Sequence, residues 1–303
     1  MRRNFQRKIS MKPKNGNLKL AIQKEGRLTE DTINLLHTAG LEFEGFKQRQ
    51  RLFSPCRNFP LEILSVRDDD IPNYVEMGTA DLGIVGRDLL IEKGSRVKEL
   101  LGLNFGFCTL TIAVPESSRM KDIQELANTR IATSYPRATK DYFRKMKIPI
   151  KVFSLSGSVE IAPTIGVADA ITDLVSTGSS LGLHELKALA TIFTSEAVFL
   201  ANPKSIKDKR KNLIIERLVT RFKGVLSAKK YKYVMMNVPE EALKKIEKLA
   251  PGLKSPTVVP LMKKGWFAVH SVLEEETFWE VVEKMKKIGA QGILVSPLEK
   301  IIF

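Results

Sequence analysis

Alternating strand-like and helix-like stretches predict an α/β protein with a largely parallel sheet, followed by a smaller domain of βαββαβ order. Two observations carry this. Over much of the first 175 residues, short apolar runs are separated by stretches of helical periodicity. After Ser227 the style changes, and four strand-like runs enclose two helical ones within about 75 residues.

Residues 18–22 alternate as a strand and run into Lys24, Glu25, Gly26 and Arg27. Thr29, Glu30 and Asp31 open a helical pattern through Ile33, Leu35, Leu36 and Ala39 that stops at Gly40, a C-cap signal. Strand 61–66, helix 69–78 and the short buried strand 80–86 repeat this grammar. A second α/β unit begins near Thr109, with strand 110–114 ended by Pro115, helix 123–127, strand 130–133, helix 138–146 and strand 151–155. A helix starting near Ser158 then leads to strand 168–175. Residues 189–193 and 197–201 read as strands and 209–225 as a long helix, apolar at Leu213, Ile214, Leu218, Val219 and Phe222. These are expected to return to the first unit.

The expected organisation is a disordered basic arm (1–17), a first lobe (18–108 and 190–226), a second lobe (109–189) and a C-terminal domain (227–303). Two crossings between lobes leave a cleft at the strand ends, where open α/β sheets bind ligands. In the last domain, strands 231–237, 257–261, 266–272 and 292–295 and helices 239–249 and 277–288 give a ferredoxin-like order, with Pro251-Gly252 and Gly289 at the helix ends.

Composition narrows the function classes. No run approaches the roughly 20 apolar residues that span a bilayer, and 82–90 is broken by Arg87 and Asp88. The protein is expected to be soluble and cytoplasmic. Residues 1–17 hold six Lys or Arg and no acid, without the apolar core of a secretory signal. Only Phe5, Ile9 and Met11 are available for the stripe of a mitochondrial-type presequence. Cys56 and Cys108 are the only cysteines and have no Cys or His at metal-ligand spacing, so two free thiols are expected. Net charge is +15. The excess sits in the arm and in residues 204–211, without interleaved aromatics for base stacking, which disfavours nucleic acid as a partner. A positive field also steers a polyphosphate substrate. His37, His184 and His270 do not group into a site.

The segment that carries chemistry is 169–181. Alternation puts Asp169, Ile171 and Asp173 on one face of a strand, Asp173 near its end, followed by Leu174, Val175 and the turn Ser176-Thr177-Gly178-Ser179-Ser180. Leu181 then opens a helix. Hydroxyls and glycine at a helix N-terminus leave backbone N–H groups free for phosphate, and a carboxylate just before them reaches ribose hydroxyls. An ordinary Ser/Thr/Gly turn with an N-cap reads equally well from this segment alone.

Glu160, Gly166, Ala168, Ile171, Asp173, Leu174, Thr177, Gly178 and Leu181 fall at spacings that closely resemble the signature of the ATP phosphoribosyltransferases. Residues 24–28, 66–72, 81–86, 131–136 and 251–257 also resemble that family, in its order, so the resemblance covers roughly 18–303. Ser180 stands where the family usually has Thr, which keeps the hydroxyl and loses a methyl.

The resemblance implies a two-lobed catalytic core like the type II periplasmic binding proteins plus an ACT-like regulatory domain. It implies transfer of the phosphoribosyl group of phosphoribosyl pyrophosphate (PRPP) to N1 of ATP, at the start of histidine biosynthesis. Mg²⁺ would be carried by the substrate phosphates, with no metal site on the protein. On this reading residues 176–181 hold the 5-phosphate, and Asp173, helped by Asp169, holds ribose hydroxyls. Lys24, Gly26, Arg27, Arg67, Asp70, Tyr135 and Glu160 are implied at the ATP and phosphate positions. For each, a bland role stands beside it: solvated charge for the basic residues, helix-terminal charge for Asp70 and Glu160, packing for Tyr135. Asn237, Leu253, Ser255, Thr257 and Gly292 match the family's site for histidine as feedback inhibitor. Asn237 lies where some relatives carry Asp, and an amide pairs less strongly with a cation, so weaker feedback is expected. A homo-oligomer, dimer or hexamer, is also implied.

Rival readings are a solute-binding protein, the effector domain of a transcription regulator and a salvage-type phosphoribosyltransferase. Neither an export signal nor a helix-turn-helix before the lobes is visible, and residues 24–27 with the C-terminal domain speak for ATP.

Overall fold

The computed structural model describes residues 16–43, 52–176 and 179–303. Residues 1–15 of the basic arm, and Thr177 and Gly178 of the turn, lie outside the described residues. Residues 35–40 with 217–303 form one compact unit, and the remaining described residues, up to 216, form the other.

The strands of the larger unit are, in chain order, β1 (Leu18–Gln23), β2 (Phe53–Pro55), β3 (Leu61–Val66), β4 (Leu82–Gly86), β5 (Lys98–Gly102), β6 (Cys108–Pro115), β7 (Arg130–Thr133), β8 (Lys151–Ser154), β9 (Ala170–Val175), β10 (Leu186–Ser195) and β11 (Ala197–Ala201). They make a six-stranded sheet ordered β2-β3-β1-β4-β11-β5 and a five-stranded sheet ordered β10-β6-β9-β7-β8. In the first, β1 is parallel to β3 and β4, and in the second, β7 is parallel to β8 and β9. Strands β4 and β11 are buried at every position, which explains why they read as continuous apolar runs.

Helices of this unit are α1 (Thr29–Thr38), α2 (Ile71–Met77), α3 (Arg87–Lys93), α4 (Pro136–Met146), α5 (Ser179–Gly182), α6 (Pro203–Lys207) and α7 (Lys209–Ala228); α1 and α7 extend into the smaller unit. Ile71 and Val75 of α2 pack with Ala21, Val85, Val198 and Leu200 in one core cluster. A Cβ on Gly83 would come within 2.9 Å of Ile71 and 3.0 Å of Val75, so the glycine lets helix and sheet approach.

Four expectations change. Strand β10 does not return to the first lobe. It pairs antiparallel with β6 from Ser195↔Cys108 to Leu186↔Pro115, so the second lobe runs to Ser195 and only β11 returns. Helix α3 follows Gly86 directly, where the sequence reading stopped at the strand. The helices expected near Ser158 and after Leu181 are one 3-10 turn (Val159–Ile161) and the four residues of α5. The expected helix 69–78 divides into a 3-10 turn (Asp68–Asp70) and α2, with Pro72 in the first turn of α2.

The smaller unit carries β12 (Tyr231–Pro239), α8 (Leu243–Leu249), β13 (Thr257–Pro260), β14 (Trp266–Glu274), α9 (Glu275–Lys287) and β15 (Gln291–Pro297). Its antiparallel sheet is ordered β13-β14-β12-β15, the ferredoxin-like arrangement. Val234, Met236, Val238, Val269 and Leu273 face Ile246, Phe278 and Met285 of the helices. The alternate residues Tyr233, Met235, Asn237 and His270 lie on the opposite face. Among the described residues, no helix is long and apolar enough to cross a membrane.

Candidate active site

The carboxyl ends of parallel strands from both sheets converge on one cavity. Gln23, Arg27 and Leu28 follow or end β1, Asp68 follows β3, and Gly86, Asp88 and Leu89 end β4 and begin α3. From the other sheet come Tyr135, after β7, and Leu174, near the end of β9. The cavity is small, about 180 Å³, because side chains from both sheets already meet in it.

Gln23 orders the loop after β1. Its Nε2 donates to Asp68 Oδ2 at 2.9 Å and its Oε1 accepts from Leu28 N at 2.9 Å. A Cβ on Gly26 (φ +139°) would fall 2.3 Å from that tethered amide, so glycine is required for the loop to close over Gln23. Arg27 is thereby turned inward, donating to Gly106 O at 2.9 Å and lying 3.7 Å from Asp88 Oδ1.

Asp88 is the buried charge at the centre. Ser195 Oγ donates to its Oδ1 at 2.7 Å, Tyr135 Oη donates to its Oδ2 at 3.1 Å, and Asp88 N donates to Ser195 Oγ at 2.9 Å. Burial first, then the Asp88 charge, pushes the Tyr135 phenol far above its ordinary value, so it remains a donor. The same two causes push the Cys108 thiol up, which makes it an inert thiol rather than a nucleophile. Nearby, the Glu92 carboxylate of α3 accepts from Arg137 N at 3.0 Å and Ala138 N at 2.9 Å, capping α4 of the other sheet where the helix dipole favours an anion.

Asp173 lies near the end of β9, half-buried, and its Oδ1 accepts from Leu174 N at 2.8 Å. Its carboxyl is held above the usual range, chiefly by burial and then by the charge of Glu160; the Leu174 amide acts in the opposite sense. Glu160 lies in the 3-10 turn Val159–Ile161 rather than in the first turn of a helix. On the second sheet lies a further cavity of about 530 Å³ whose lining includes Ser176, Leu181, Thr109, Thr111 and Ser195; Thr111 is the register partner of Asp173.

Asp169 does not join this group. It precedes β9 and is claimed at the far end of that strand by Arg130, whose Nη2 and Nε lie 2.8 and 3.2 Å from its two oxygens and whose backbone N–H donates to Oδ2 at 2.8 Å. Four residues of strand separate it from Asp173, about 13 Å, so the shared face does not make a shared site. The phosphate argument for residues 176–181 loses its macrodipole, since α5 is one turn long, and Thr177 and Gly178 lie outside the described residues. Lys24 and Arg67 are exposed at the ends of the adjacent strands β1 and β3. Asp70 is exposed at the N-cap position of α2 without a side-chain capping bond.

In the smaller unit, Asn237 and Gly292 come together: a Cβ on Gly292 (φ +57°) would sit 3.4 Å from Asn237 Nδ2. Thr257 pairs with His270, whose Nδ1 lies 2.5 Å from Tyr233 Oη. Thr257 shares the face of Asn237 but is separated from it by β14. Leu253 and Ser255 lie on the exposed loop before β13.

The residues that sequence reading missed are Asp88, Ser195 and Gln23. Asp88 carries a signal in sequence, a carboxylate two residues past an apolar strand, although there it also stands as a plain break in hydrophobicity. Ser195 joins Asp88 across 107 residues, which no local pattern records.

Comparison with known proteins identifies the family. The family model HisG, ATP phosphoribosyltransferase, matches residues 67–224, and that of the HisG C-terminal domain matches residues 228–300. The ATP phosphoribosyltransferase of Cytophaga hutchinsonii is 46% identical over 285 residues, spanning 94% of this chain and 98% of that protein. That of Methanosarcina mazei is 39% identical over 290 residues, spanning 94% and 99%. A Thermotoga maritima structure described as an ATP phosphoribosyl transferase (HisG:HisZ) complex is 30% identical with a TM-score of 0.58, covering 68% of this chain and 98% of the other. Matched by both family models and by relatives 39% and 46% identical over 94% of its length, this chain belongs to the ATP phosphoribosyltransferase family of pentosyltransferase enzymes.

Proposed function

We propose that the protein transfers the phosphoribosyl group of PRPP to N1 of ATP, releasing pyrophosphate, as a cytoplasmic enzyme of histidine biosynthesis. The observation that carries this is Asp173, half-buried near the end of β9 and three residues before Ser176. Such a carboxylate suits ribose hydroxyls, and the hydroxyl- and glycine-rich sequence 176–180 that follows suits the 5-phosphate. The sugar C1 becomes cation-like as pyrophosphate leaves, so catalysis rests on aligning the attacking nitrogen and neutralising leaving-group charge. Neither demand calls for a protein nucleophile. Arg27, inward-facing at the cavity shared by the two sheets, and exposed Lys24 and Arg67 are assigned to phosphates of ATP or pyrophosphate. Tyr135 is assigned to the ATP side.

Mg²⁺ is assigned to the substrate phosphates. Mg²⁺ binds chiefly through phosphate and water oxygens and keeps most of its shell when a protein adds at most one or two carboxylates, which suits an ion delivered with PRPP and ATP. When bound, the ion would neutralise leaving-group charge.

Histidine is proposed as feedback inhibitor at the open face of the C-terminal sheet, where Asn237, Thr257 and Gly292 lie with Leu253 and Ser255 on the preceding loop. The separation of Thr257 from Asn237 by β14 favours a site completed by a second copy of the domain in a homo-oligomer. The full chain, PRPP, ATP and Mg²⁺, with and without histidine, is the test. Formation of phosphoribosyl-ATP is expected, with loss on chelation by EDTA and inhibition by histidine. Full activity with histidine present, and no histidine binding by calorimetry, would remove the regulatory assignment.

A further inference from the structure

The cavity on the second sheet is lined by hydroxyls that the reading above leaves without a task, among them Thr109 and Thr111 of β6 and Thr191 of β10. Two contacts fix which of these can donate. Thr109 Oγ1 donates to Val175 O at 3.2 Å and lies 3.1 Å from Thr111 Oγ1. A hydroxyl has one proton and two lone pairs. With the proton of Thr109 committed to Val175, Thr111 must supply the proton of the shared bond. Thr111 then meets the cavity with lone pairs only.

The position of Thr111 gives this polarity a meaning. Its register partner on β9 is Asp173 and its partner on β10 is Thr191. Residues directly opposite on neighbouring strands share a face with their Cβ atoms about 5 Å apart. Thr111 is only 5% exposed, so its remaining acceptor capacity is directed at the cavity and not at bulk water. An ionised carboxylate is likewise acceptor-only. Two acceptors side by side complement hydroxyl groups and repel phosphate oxygens. Phosphate is left to the backbone N–H groups of the neighbouring turn.

We propose that Thr111 is a donor-binding residue that accepts a hydrogen bond from a ribose hydroxyl of the phosphoribosyl donor beside Asp173, with Thr109 as the positioning residue that sets its polarity. Thr109 also ties β6 to the carbonyl just before Ser176, so the ribose subsite and the start of the turn are fixed by the same side chain. The inference rests on the assignment of the donor to this side of the cleft.

The test is direct calorimetric binding of PRPP and, separately, of pyrophosphate to the full-length wild type, Thr111→Val and Thr111→Ser, with Mg²⁺. Valine keeps the shape and removes the acceptor. It is expected to weaken PRPP binding about tenfold, the value of one hydrogen bond, and to leave pyrophosphate binding and the KM for ATP within about twofold. Serine keeps the oxygen and is expected to stay within about threefold of wild type. Unchanged PRPP binding by Thr111→Val, equal losses for PRPP and pyrophosphate, or equal losses for valine and serine would each overturn the proposal. Should Thr111→Val fail to fold, Thr111→Ala is read by the same criteria. Absence of PRPP binding by the wild type would overturn the donor assignment itself, a different failure.

Discussion

Tyr135 donates to Asp88 across 3.1 Å although the two residues belong to elements on different sheets, Tyr135 after β7 and Asp88 in the first turn of α3. The bond is one of several that hold Asp88, and burial keeps the phenol protonated. Tyr135→Phe is therefore expected to lower unfolding free energy by about 1.5–3 kcal/mol, the range for a hydrogen bond to a charged group. It should raise the KM for ATP several-fold while leaving PRPP binding unchanged. Urea denaturation and steady-state kinetics check both, and no pH dependence traceable to the phenol is expected between neutral pH and mild alkali.

Asp173 places function against stability. Its carboxyl titrates above the unfolded value, so the native state holds the proton more tightly than the unfolded chain. Stability without ligand then falls as pH rises from the ordinary aspartate range through the raised value. Asp173→Asn should remove that decline, making the free protein slightly more stable at neutral pH, and should abolish PRPP binding. Thermal unfolding from acid to neutral pH, with PRPP titrations, measures both; a destabilised variant that binds PRPP normally would contradict the assignment.

Asp169 is expected to behave in the opposite way. Arg130, by side-chain and backbone hydrogen bonds, holds its carboxyl below the ordinary range, so its contribution is present at neutral pH and lost as pH falls through the lowered value. The pair is partly exposed, which makes the contribution modest. Asp169→Asn should reduce thermal stability at pH 7 more than in acid and leave PRPP affinity unchanged.

Asn202 is a structural anchor of the same unit. Its Oδ1 caps α6 by accepting from Lys204 N at 2.7 Å, and its buried Nδ2 donates to Val75 O at 2.6 Å and Glu76 O at 3.1 Å. Asn202→Ala is expected to destabilise by about 1–3 kcal/mol, from a lost cap and the loss of its two hydrogen bonds to the carbonyls of Val75 and Glu76. Chemical denaturation would show it, with little change in kcat once folded.

Local periodicity made the strands legible wherever a strand is buried on both faces, as in β4 and β11, or on one face, as in β12. The C-terminal order βαββαβ was legible throughout for this reason. Strand β10 is hard to place from sequence because only its two end residues are buried, with intermediate and exposed positions in irregular order between; its long antiparallel pairing with β6 sets it on the second sheet. In the site, Asp173 and Arg27 stood out because each follows or ends a strand. Asp169 misled because alternation reports the face of a residue and not its partner, and Arg130 is 39 residues away. Asp88 and Ser195 were invisible together for the same reason.

The central claim is tested most directly by incubating the full-length protein with PRPP, ATP and Mg²⁺ and identifying the nucleotide product by mass spectrometry and its ultraviolet spectrum. The account predicts phosphoribosyl-ATP with one pyrophosphate released per product, and none from Asp173→Asn. A folded wild-type protein that binds PRPP but forms no phosphoribosyl-ATP, or that transfers the group to a free base instead of ATP, would contradict it.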